Sequence, residues 1–356
     1  MNSSLSSIDL LGIEVFIAVI TTLLVITLLR PFALSIKFLD LPNNRKKHEG
    51  SVPLIGGLGM FFGFLISILV TDIDLSQIKY FLLASFIVVI IGAIDDYRDI
   101  SIRYRFFFQI SAAVIVSFIA GINIESIGNI LSWREEILLN SWSVFVTIIA
   151  IIVAMNSLNM SDGINGLAGL TSFFTLLALC YFSHVGGNQQ TLIVASLMCA
   201  VILPFLYYNL SIGSSKDKRI FMGDSGSMFL GLGIVWLLVN LSQGEYRSFS
   251  PVIALWLFAV PLIDGTSTVL RRIIIGQSPF KPDLNHFHHI LIRLGFNANL
   301  VLIIIVLLSI LMILIGIIGE LNEISEWKMF ISFIIIFIIF FILKNLLIYK
   351  NNKHNL

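Results

Sequence analysis

The stretch Ala150-Ile-Ile-Val-Ala-Met-Asn156-Ser-Leu-Asn159-Met-Ser-Asp162-Gly163-Ile-Asn165-Gly166-Leu-Ala-Gly-Leu170 decides how this chain is read. Apolar residues run into it and out of it, with amides, one carboxylate and glycines wedged between. An acid at the centre of a membrane helix costs about 3 kcal/mol on insertion scales. The cluster therefore marks a membrane boundary, a site built at one, or both.

The rest of the chain supports the membrane reading. Of 356 residues, 57% are hydrophobic and 12% charged, with a mean hydropathy of +0.98. That is too apolar for a soluble fold. A net charge of +1 offers no basic domain to neutralise a phosphate backbone, so nucleic acid is not an expected partner. Cys180 and Cys199 sit inside apolar runs and read as packing residues, not as a disulfide framework or thiolate metal site. Residues Met1 to Leu10 lack the basic region of a cleavable signal, so the first apolar run is expected to stay as a membrane helix.

A hydrocarbon core of about 30 Å needs about 20 helical residues. Runs approaching that length lie near 11–36, 54–71, 80–95, 106–122, 142–158, 166–183, 189–209, 226–241, 251–273, 299–319 and 328–348. The expected fold is thus all-α and polytopic, with about eleven transmembrane helices in a single domain spanning 1–356. No repeat of fixed period interrupts it. With the amino terminus outside, only Lys79, Arg134, Arg247 and Lys328 fall on the outer side, and the other eighteen of 22 lysines and arginines fall inside. The positive-inside rule selects that orientation, placing the carboxyl terminus in the cytoplasm.

On this map five polar clusters fall on the cytoplasmic face. The first holds Arg45, Lys46, Lys47 and His48 before Pro53 and Gly56-Gly57. The second is Asp95-Asp96-Tyr97-Arg98-Asp99, the third the opening cluster, the fourth Phe221-Met-Gly223-Asp224-Ser225-Gly226-Ser227. The fifth runs from Ser278-Pro279-Phe280-Lys281-Pro282-Asp283 to His286-Phe287-His288-His289. Each has a plain alternative. Asp95 and Asp96 would serve to end a helix and pair with Arg98 or Arg103, but adjacent carboxylates repel, and keeping both suits a metal or a proton. Asn156 and Asn159 are three apart and share a helix face. Asp224 suits an N-cap, a role compatible with metal binding. The histidines suit a turn or, with Asp283, a zinc site, though their spacing matches no strong zinc pattern. The basic run at Arg45 suits a topology signal.

Helix polarity ties the clusters together. The sixth and eighth helices begin on the cytoplasmic face, directly after Gly163-Ile-Asn165-Gly166 and Gly223-Asp224-Ser225-Gly226. Free N–H groups at such ends, approached over glycines, favour phosphate anions. Carboxylates and amides nearby suit Mg²⁺, and Mn²⁺ accepts the same oxygen ligands. Arginines and histidines complete a pyrophosphate cradle. The residues alone point to a Mg²⁺-dependent phosphoryl-transfer site at the inner membrane surface, with one substrate from the cytosol and one from the lipid.

Asp95-Asp96, Asn156-x-x-Asn159-x-x-Asp162-Gly, Phe221-Met-Gly-Asp224-x-Gly-Ser and His286-x-His288-His289 together resemble the polyprenyl-phosphate N-acetylhexosamine-1-phosphate transferases, glycosyltransferase family 4. The match is ordered and covers most of the chain. Ser250-Pro251 to Trp256, and Arg271-Arg272 through Ser278-Pro279-Phe280-x-Pro282-Asp283 to the histidines, resemble the WecA type more than the MraY type. The resemblance implies transfer of N-acetylglucosamine 1-phosphate from UDP-N-acetylglucosamine (UDP-GlcNAc) to undecaprenyl phosphate with release of UMP, in the bacterial inner membrane. It further implies a start to O-antigen, lipopolysaccharide or enterobacterial common antigen synthesis, and a homodimer.

Carried over by position, it makes Asp224 the principal Mg²⁺ ligand and Asn159 a second. Asp95, with Asp96 beside it, binds or deprotonates the lipid phosphate, Phe221 stacks on uracil, and Asp162 contacts the nucleotide sugar. His286, His288, His289 and Arg271 or Arg272 hold diphosphate or sugar, and Asn156, Asn165, Arg45 and His48 are further substrate-binding candidates. Bacterial relatives usually carry Asp where this chain has Asn165, a departure that counts against an obligatory carboxylate role there, and eukaryotic relatives resemble this chain at that position. Two competing classes remain: a proton-coupled transporter, which would place its acids near the midplane, and a lipid-diphosphate hydrolase using the same metal logic. A related transferase for another UDP-N-acetylhexosamine is a variant of the first reading.

Overall fold

A computed structural model describes residues 7–40, 50–132, 135–212, 218–279 and 284–354. Apart from a two-residue antiparallel ribbon, in which Leu39 lies opposite Pro53 and Asp40 opposite Val52, the regular structure among these residues is helical. The helices are α1 (Ser7–Ser35), α2 (Gly56–Val70), α3 (Leu75–Arg98), α4 (Ile102–Val114), α5 (Ser143–Ser161), α6 (Leu167–Val185), α7 (Gln189–Asn209), α8 (Gly223–Ser242), α9 (Ile253–Leu257), α10 (Ala259–Ile274), α11 (Phe287–Arg293), α12 (Ala298–Leu321) and α13 (Glu326–His354). One π-helical turn, Ile115–Ile119, extends α4.

Nine helices among the described residues are long and apolar enough to cross a membrane. They comprise α1, α3, α4 with its π turn, α5 to α8, α12 and α13. The chain is therefore an all-α, multi-pass membrane protein. The other two apolar runs are helical but not continuous at that length: α2 has 15 residues, and the run near 251–273 breaks between α9 and α10. The break has a physical cause at Pro261, whose missing N–H leaves the carbonyl four residues earlier without its helical donor. That carbonyl, on Leu257, instead accepts from the Thr175 hydroxyl of α6 at 2.8 Å, as backbone buried in a membrane protein must be satisfied within it.

The helix α8 is the axis of the bundle, nearly all its side chains being buried, whereas α1 and α13 face outward over most of their length. Small residues let the neighbours reach its backbone. A Cβ on Gly231 would meet Met155 Cα of α5 at 2.7 Å, and one on Gly233 the Met198 methyl of α7 at 2.2 Å. A Cβ on Gly57 of α2 would meet Gly226 N at 2.1 Å, and one on Gly92 of α3 would meet Ser225 Cα at 2.5 Å. Lipid offers no hydrophobic drive between helices, so close backbone packing of this kind is what associates them. Four neighbours thus grip α8, two of them at its amino-terminal turn.

The helices overrun the apolar runs where polar ends cap them. Asp74 accepts from Ser76 N at 2.9 Å to start α3, and α3 continues to Arg98, where Asp99 turns left-handed at φ 50°. Asp95 to Arg98, at and just beyond the end of the apolar run expected at 80–95, therefore form the last helical turn.

Candidate active site

Four helix ends meet around Asp224: the end of α3, the start of α4, the end of α5 and the start of α8. Asp224 Oδ1 accepts from Asn159 Nδ2 at 2.7 Å, and Asn159 also donates to the Ser227 hydroxyl at 3.0 Å. Asp224 Oδ2 lies 3.1 Å from a terminal guanidinium nitrogen of Arg105, and the same nitrogen is 3.3 Å from Asp95 Oδ2. The other oxygen of Asp95 accepts from Ile100 N at 2.9 Å, which fixes the carboxylate against the turn leading to α4. Two carboxylates from separate helices thus converge on one positive charge.

That convergence tests the residues against Mg²⁺. The donors are hard oxygens, and the point they share already holds a cation's charge. Mg²⁺ takes one or two protein carboxylates and leaves its other positions to phosphates and water. Among the described residues no group of three or more His, Cys, Asp or Glu side chains is arranged to hold a metal, and Asp283, the fourth member of the zinc alternative, lies outside them. The donor set fits Mg²⁺ shared with a phosphate substrate.

Asp96 has a different task from its neighbour. Its carboxylate accepts from Asp224 N at 2.9 Å and approaches Ser225 N at 3.5 Å, capping α8 from another helix. The expectation that this helix end presents free N–H groups to phosphate is corrected, because a carboxylate already occupies its positive end. Nor is Asp224 the N-cap. It is the second residue of α8, following Gly223 at φ +70°. A Cβ on Gly223 would lie 2.3 Å from Asp96 Oδ2. Glycine is needed there both for the left-handed backbone and for the carboxylate's approach.

The other candidates are partly drawn in. Asn156 shares a face with Asn159 but donates to Gln109 Oε1 at 2.9 Å and to Ile152 O at 2.8 Å, which braces α5 against α4. Phe221 is half-buried, and its backbone is pinned to the segment after the ribbon: Phe221 N donates to Pro53 O, and Gly56 N to Phe221 O, both at 2.9 Å. Asp162 is half-buried at the end of α5, and Asn165 is half-buried just before Gly166. The Gly166 N–H donates to Asn209 Oδ1 at 2.6 Å, so the start of α6 is likewise engaged by a side chain.

Arg271 is half-buried beside a groove between α10 and α13, whereas Arg272 is buried and donates to Pro279 O at 2.7 Å. Of the two, Arg272 braces the loop and only Arg271 is accessible. Arg45 and His48 lie outside the described residues.

The histidines gather on the far side of the opening cluster. His286 and His288 stack with ring centroids 5.9 Å apart, and His289 lies 4.1 Å from His288. A Cβ on Gly163 would fall 2.0 Å from His288 Nε2, so the Asp162-Gly163 turn presses directly on this ring. Burial, reinforced by the neighbouring His289, pushes the His288 pKa down to about 3, which keeps it neutral. The residues from Asn159 to Gly163 therefore join two polar groups, Asp224 with its neighbours on one side and the histidines on the other.

Sequence reasoning missed four side chains here. Arg105, Lys344 and Asp264 looked like topology charges or single polar breaks in apolar runs, and Gln109 was one amide in a membrane helix. Asp264 accepts from Lys344 Nζ at 2.6 Å and from Phe287 N at 3.0 Å, and its other oxygen lies 3.2 Å from His286 Nδ1. The available signal was that Gln109, Asp264 and Lys344 fall inside apolar runs, where polar residues are rare and need partners, whereas Arg105 stands just before one and gave no such signal.

Comparison with known proteins gives the family. The profile of glycosyl transferase family 4 matches residues 78–242, the segment carrying Asp95, Asp96, Asn159 and Asp224. An undecaprenyl-phosphate alpha-N-acetylglucosaminyl 1-phosphate transferase of Salmonella typhi is 36% identical over 284 residues, covering 80% of this chain and 77% of its own. Proteins of the same description from Escherichia coli K12 and Haemophilus influenzae are each 34% identical, covering 85% and 82% of this chain and 81% and 82% of their own. The chain belongs to glycosyl transferase family 4.

Proposed function

We propose that the chain transfers N-acetylglucosamine 1-phosphate from UDP-GlcNAc to undecaprenyl phosphate, giving GlcNAc-diphosphate-undecaprenol and UMP. The observation that carries this reading is the meeting of Asp95, Asp224 and Arg105 at the ends of α3, α4 and α8, in a chain of this family. An oxygen of the lipid phosphate attacks the β-phosphorus, the bond from that phosphorus to the bridging oxygen of UMP breaks, and the sugar to phosphate bond is untouched. Two anions must be brought together, so positioning and electrostatics carry the rate.

Asp95 Oδ2 holds the lipid phosphate or takes its proton, and the fixed Ile100 contact keeps that carboxylate in place. Arg105 moves its charge from the carboxylates to phosphate when substrates arrive. Asp224 and Asn159 would hold Mg²⁺, or Mn²⁺ in its stead, which when bound would supply positive charge to neutralise the diphosphate and the departing UMP. Asp96 sets the direction of Asp224 through the backbone of α8. Phe221 stacks on uracil, Asp162 contacts the nucleotide sugar, and the histidines with Arg271 hold diphosphate or sugar.

The finer topology belongs to the same reading. The eleven helical runs make eleven crossings, with α9 and α10 forming one broken pass, the amino terminus outside and the site at the cytoplasmic face of the bacterial inner membrane. The distribution of lysine and arginine supports it. The enzyme works as a homodimer, and its product starts a lipid-linked glycan such as O-antigen or enterobacterial common antigen.

The test uses purified protein with UDP-GlcNAc, undecaprenyl phosphate and Mg²⁺. UMP is expected only when both substrates are present, and Asp224→Ala is expected to abolish its release while the protein stays folded. UMP or phosphate released without the lipid would mean a hydrolase. Near-normal turnover by Asp224→Ala would remove the site assignment.

A further inference from the structure

The last helix, α13, is a long apolar segment that faces outward over most of its length, yet it carries one buried ammonium. Lys344 is 2% exposed. Its Nζ lies within hydrogen-bond reach of four oxygens, all on α10: Asp264 Oδ1 at 2.6 Å, Thr268 Oγ1 at 2.7 Å, Ser267 Oγ at 3.0 Å and Asp264 O at 3.1 Å. A lysine placed only to mark topology at a membrane boundary snorkels to water. This one turns inward, and a buried charge is retained only with partners that fully engage it.

The partner leads to the histidine segment. Asp264 Oδ2 faces His286 Nδ1 at 3.2 Å, and Asp264 Oδ1 accepts from Phe287 N at 3.0 Å, the first residue of α11. Thr268 Oγ1 touches both Lys344 and, at 3.4 Å, His286 Nδ1. An oxygen acceptor facing Nδ1 favours the tautomer that carries its proton on that nitrogen, which leaves Nε2 as the acceptor. The Asp264 carboxylate also fixes the start of the short helix that carries His288 and His289. Phe287 packs on Phe340 of α13, one turn before Lys344, with ring centroids 5.2 Å apart, so the same two helices hold the segment by both apolar and polar contacts.

We propose that Lys344 and Asp264 are positioning residues for the transfer reaction, locking the tautomer of His286 and the placement of the His286-x-His288-His289 segment. This rests on the functional reading above, in which that segment holds the diphosphate or sugar of the nucleotide substrate. The last helix then belongs to the nucleotide-sugar side of the site and not only to the lipid boundary.

The experiment compares wild type, Lys344→Met and the double variant Asp264→Leu with Lys344→Met, each purified as the full chain. UMP release by wild type comes first, and its absence would fail the functional reading and not this one. Lys344→Met strands a buried carboxylate and is expected to lower both Tm and kcat. The double variant replaces a buried ion pair by an apolar pair, an exchange that is often neutral for stability. It should regain most of the lost Tm, yet keep kcat down by about tenfold or more, with KM raised for UDP-GlcNAc and unchanged for undecaprenyl phosphate. Recovery of kcat together with Tm would make the pair merely structural and overturn the proposal. Should the double variant not fold, Thr268→Val, which keeps the ion pair but takes one oxygen from Lys344 and the hydroxyl from beside His286, is expected to lower Tm slightly and kcat severalfold. Wild-type kinetics in that variant would overturn the proposal equally.

Discussion

Replacing Gly92 by alanine adds one methyl group, and the structure specifies where it goes. The new Cβ would lie 2.5 Å from Ser225 Cα and N and 2.8 Å from the Asp224 carbonyl carbon. Ordinary contacts begin at 3.4 Å, and all three atoms are backbone, so no side-chain rotation relieves the clash. The end of α3 and the start of α8 must separate by about 1 Å, which stretches the Asp96 to Asp224 N bond beyond hydrogen-bond length. Overpacking of this size costs about 1–3 kcal/mol of stability, which leaves a folded protein. A displacement of about 1 Å at a reacting centre costs about 100-fold in rate, or about 2.7 kcal/mol of barrier. The assay is kcat for UMP release from UDP-GlcNAc and undecaprenyl phosphate, with size-exclusion profile and Tm as folding controls. Gly12→Ala is the matched control, since nothing lies within 4 Å of a Cβ there, and it should keep wild-type kcat. A monodisperse Gly92→Ala protein with wild-type kcat would refute the claim that the α3 to α8 approach sets the site.

Removing the cap with Asp96→Ala loosens Asp224 and costs about 1 kcal/mol at that helix end. The Mg²⁺ concentration that half-saturates thermal stabilisation in the presence of UMP should rise about fivefold, and an unchanged value would return Asp96 to a direct chemical role. Asn165→Asp is expected to keep activity, because the two side chains share a shape and the position is only half-buried, and a large loss in UMP release would show that the neutral amide is required there. His288 has its pKa depressed from 6.5 to about 3 in the folded protein. Below its ordinary pKa the unfolded chain binds a proton that the native state refuses. Its contribution to stability is therefore fully present above pH 6.5 and is lost progressively as pH falls toward about 3. The Tm of wild type should drop more steeply between pH 7 and pH 5 than that of His288→Gln, and parallel curves would contradict the buried neutral ring.

Much of this protein was legible from its residues because the membrane imposes coarse rules. Every apolar run is helical, including the short α2 and the broken α9 and α10, since hydrocarbon admits no unsatisfied backbone. The break at Phe258 was not legible from hydropathy, although Pro261 carried the reason. Residue type marked the clusters that hold Asp95, Asn159 and Asp224, the family resemblance singled the three out, and the structure brings them together around Asp224. What sequence could not supply was pairing between distant segments. Arg105 reads as one more inner-face charge until it is seen between two carboxylates from different helices. Asp96 reads as half of a repelling pair until it is found capping α8, which also explains why both acids persist side by side. Lys344 was counted for orientation alone, because nothing local distinguishes a snorkelling lysine from one turned inward to an aspartate eighty residues away.

The central claim is that a phosphoryl centre is attacked by a lipid phosphate while the sugar stays joined to its own phosphate. UDP-GlcNAc labelled with ³²P at the β-phosphate and with ³H in the sugar, incubated with purified protein, undecaprenyl phosphate and Mg²⁺, tests it directly. Both labels should appear in the lipid in their starting ratio, with one UMP released for each lipid modified. Tritium in the lipid without ³²P, or release of labelled UDP in place of UMP, would contradict the account.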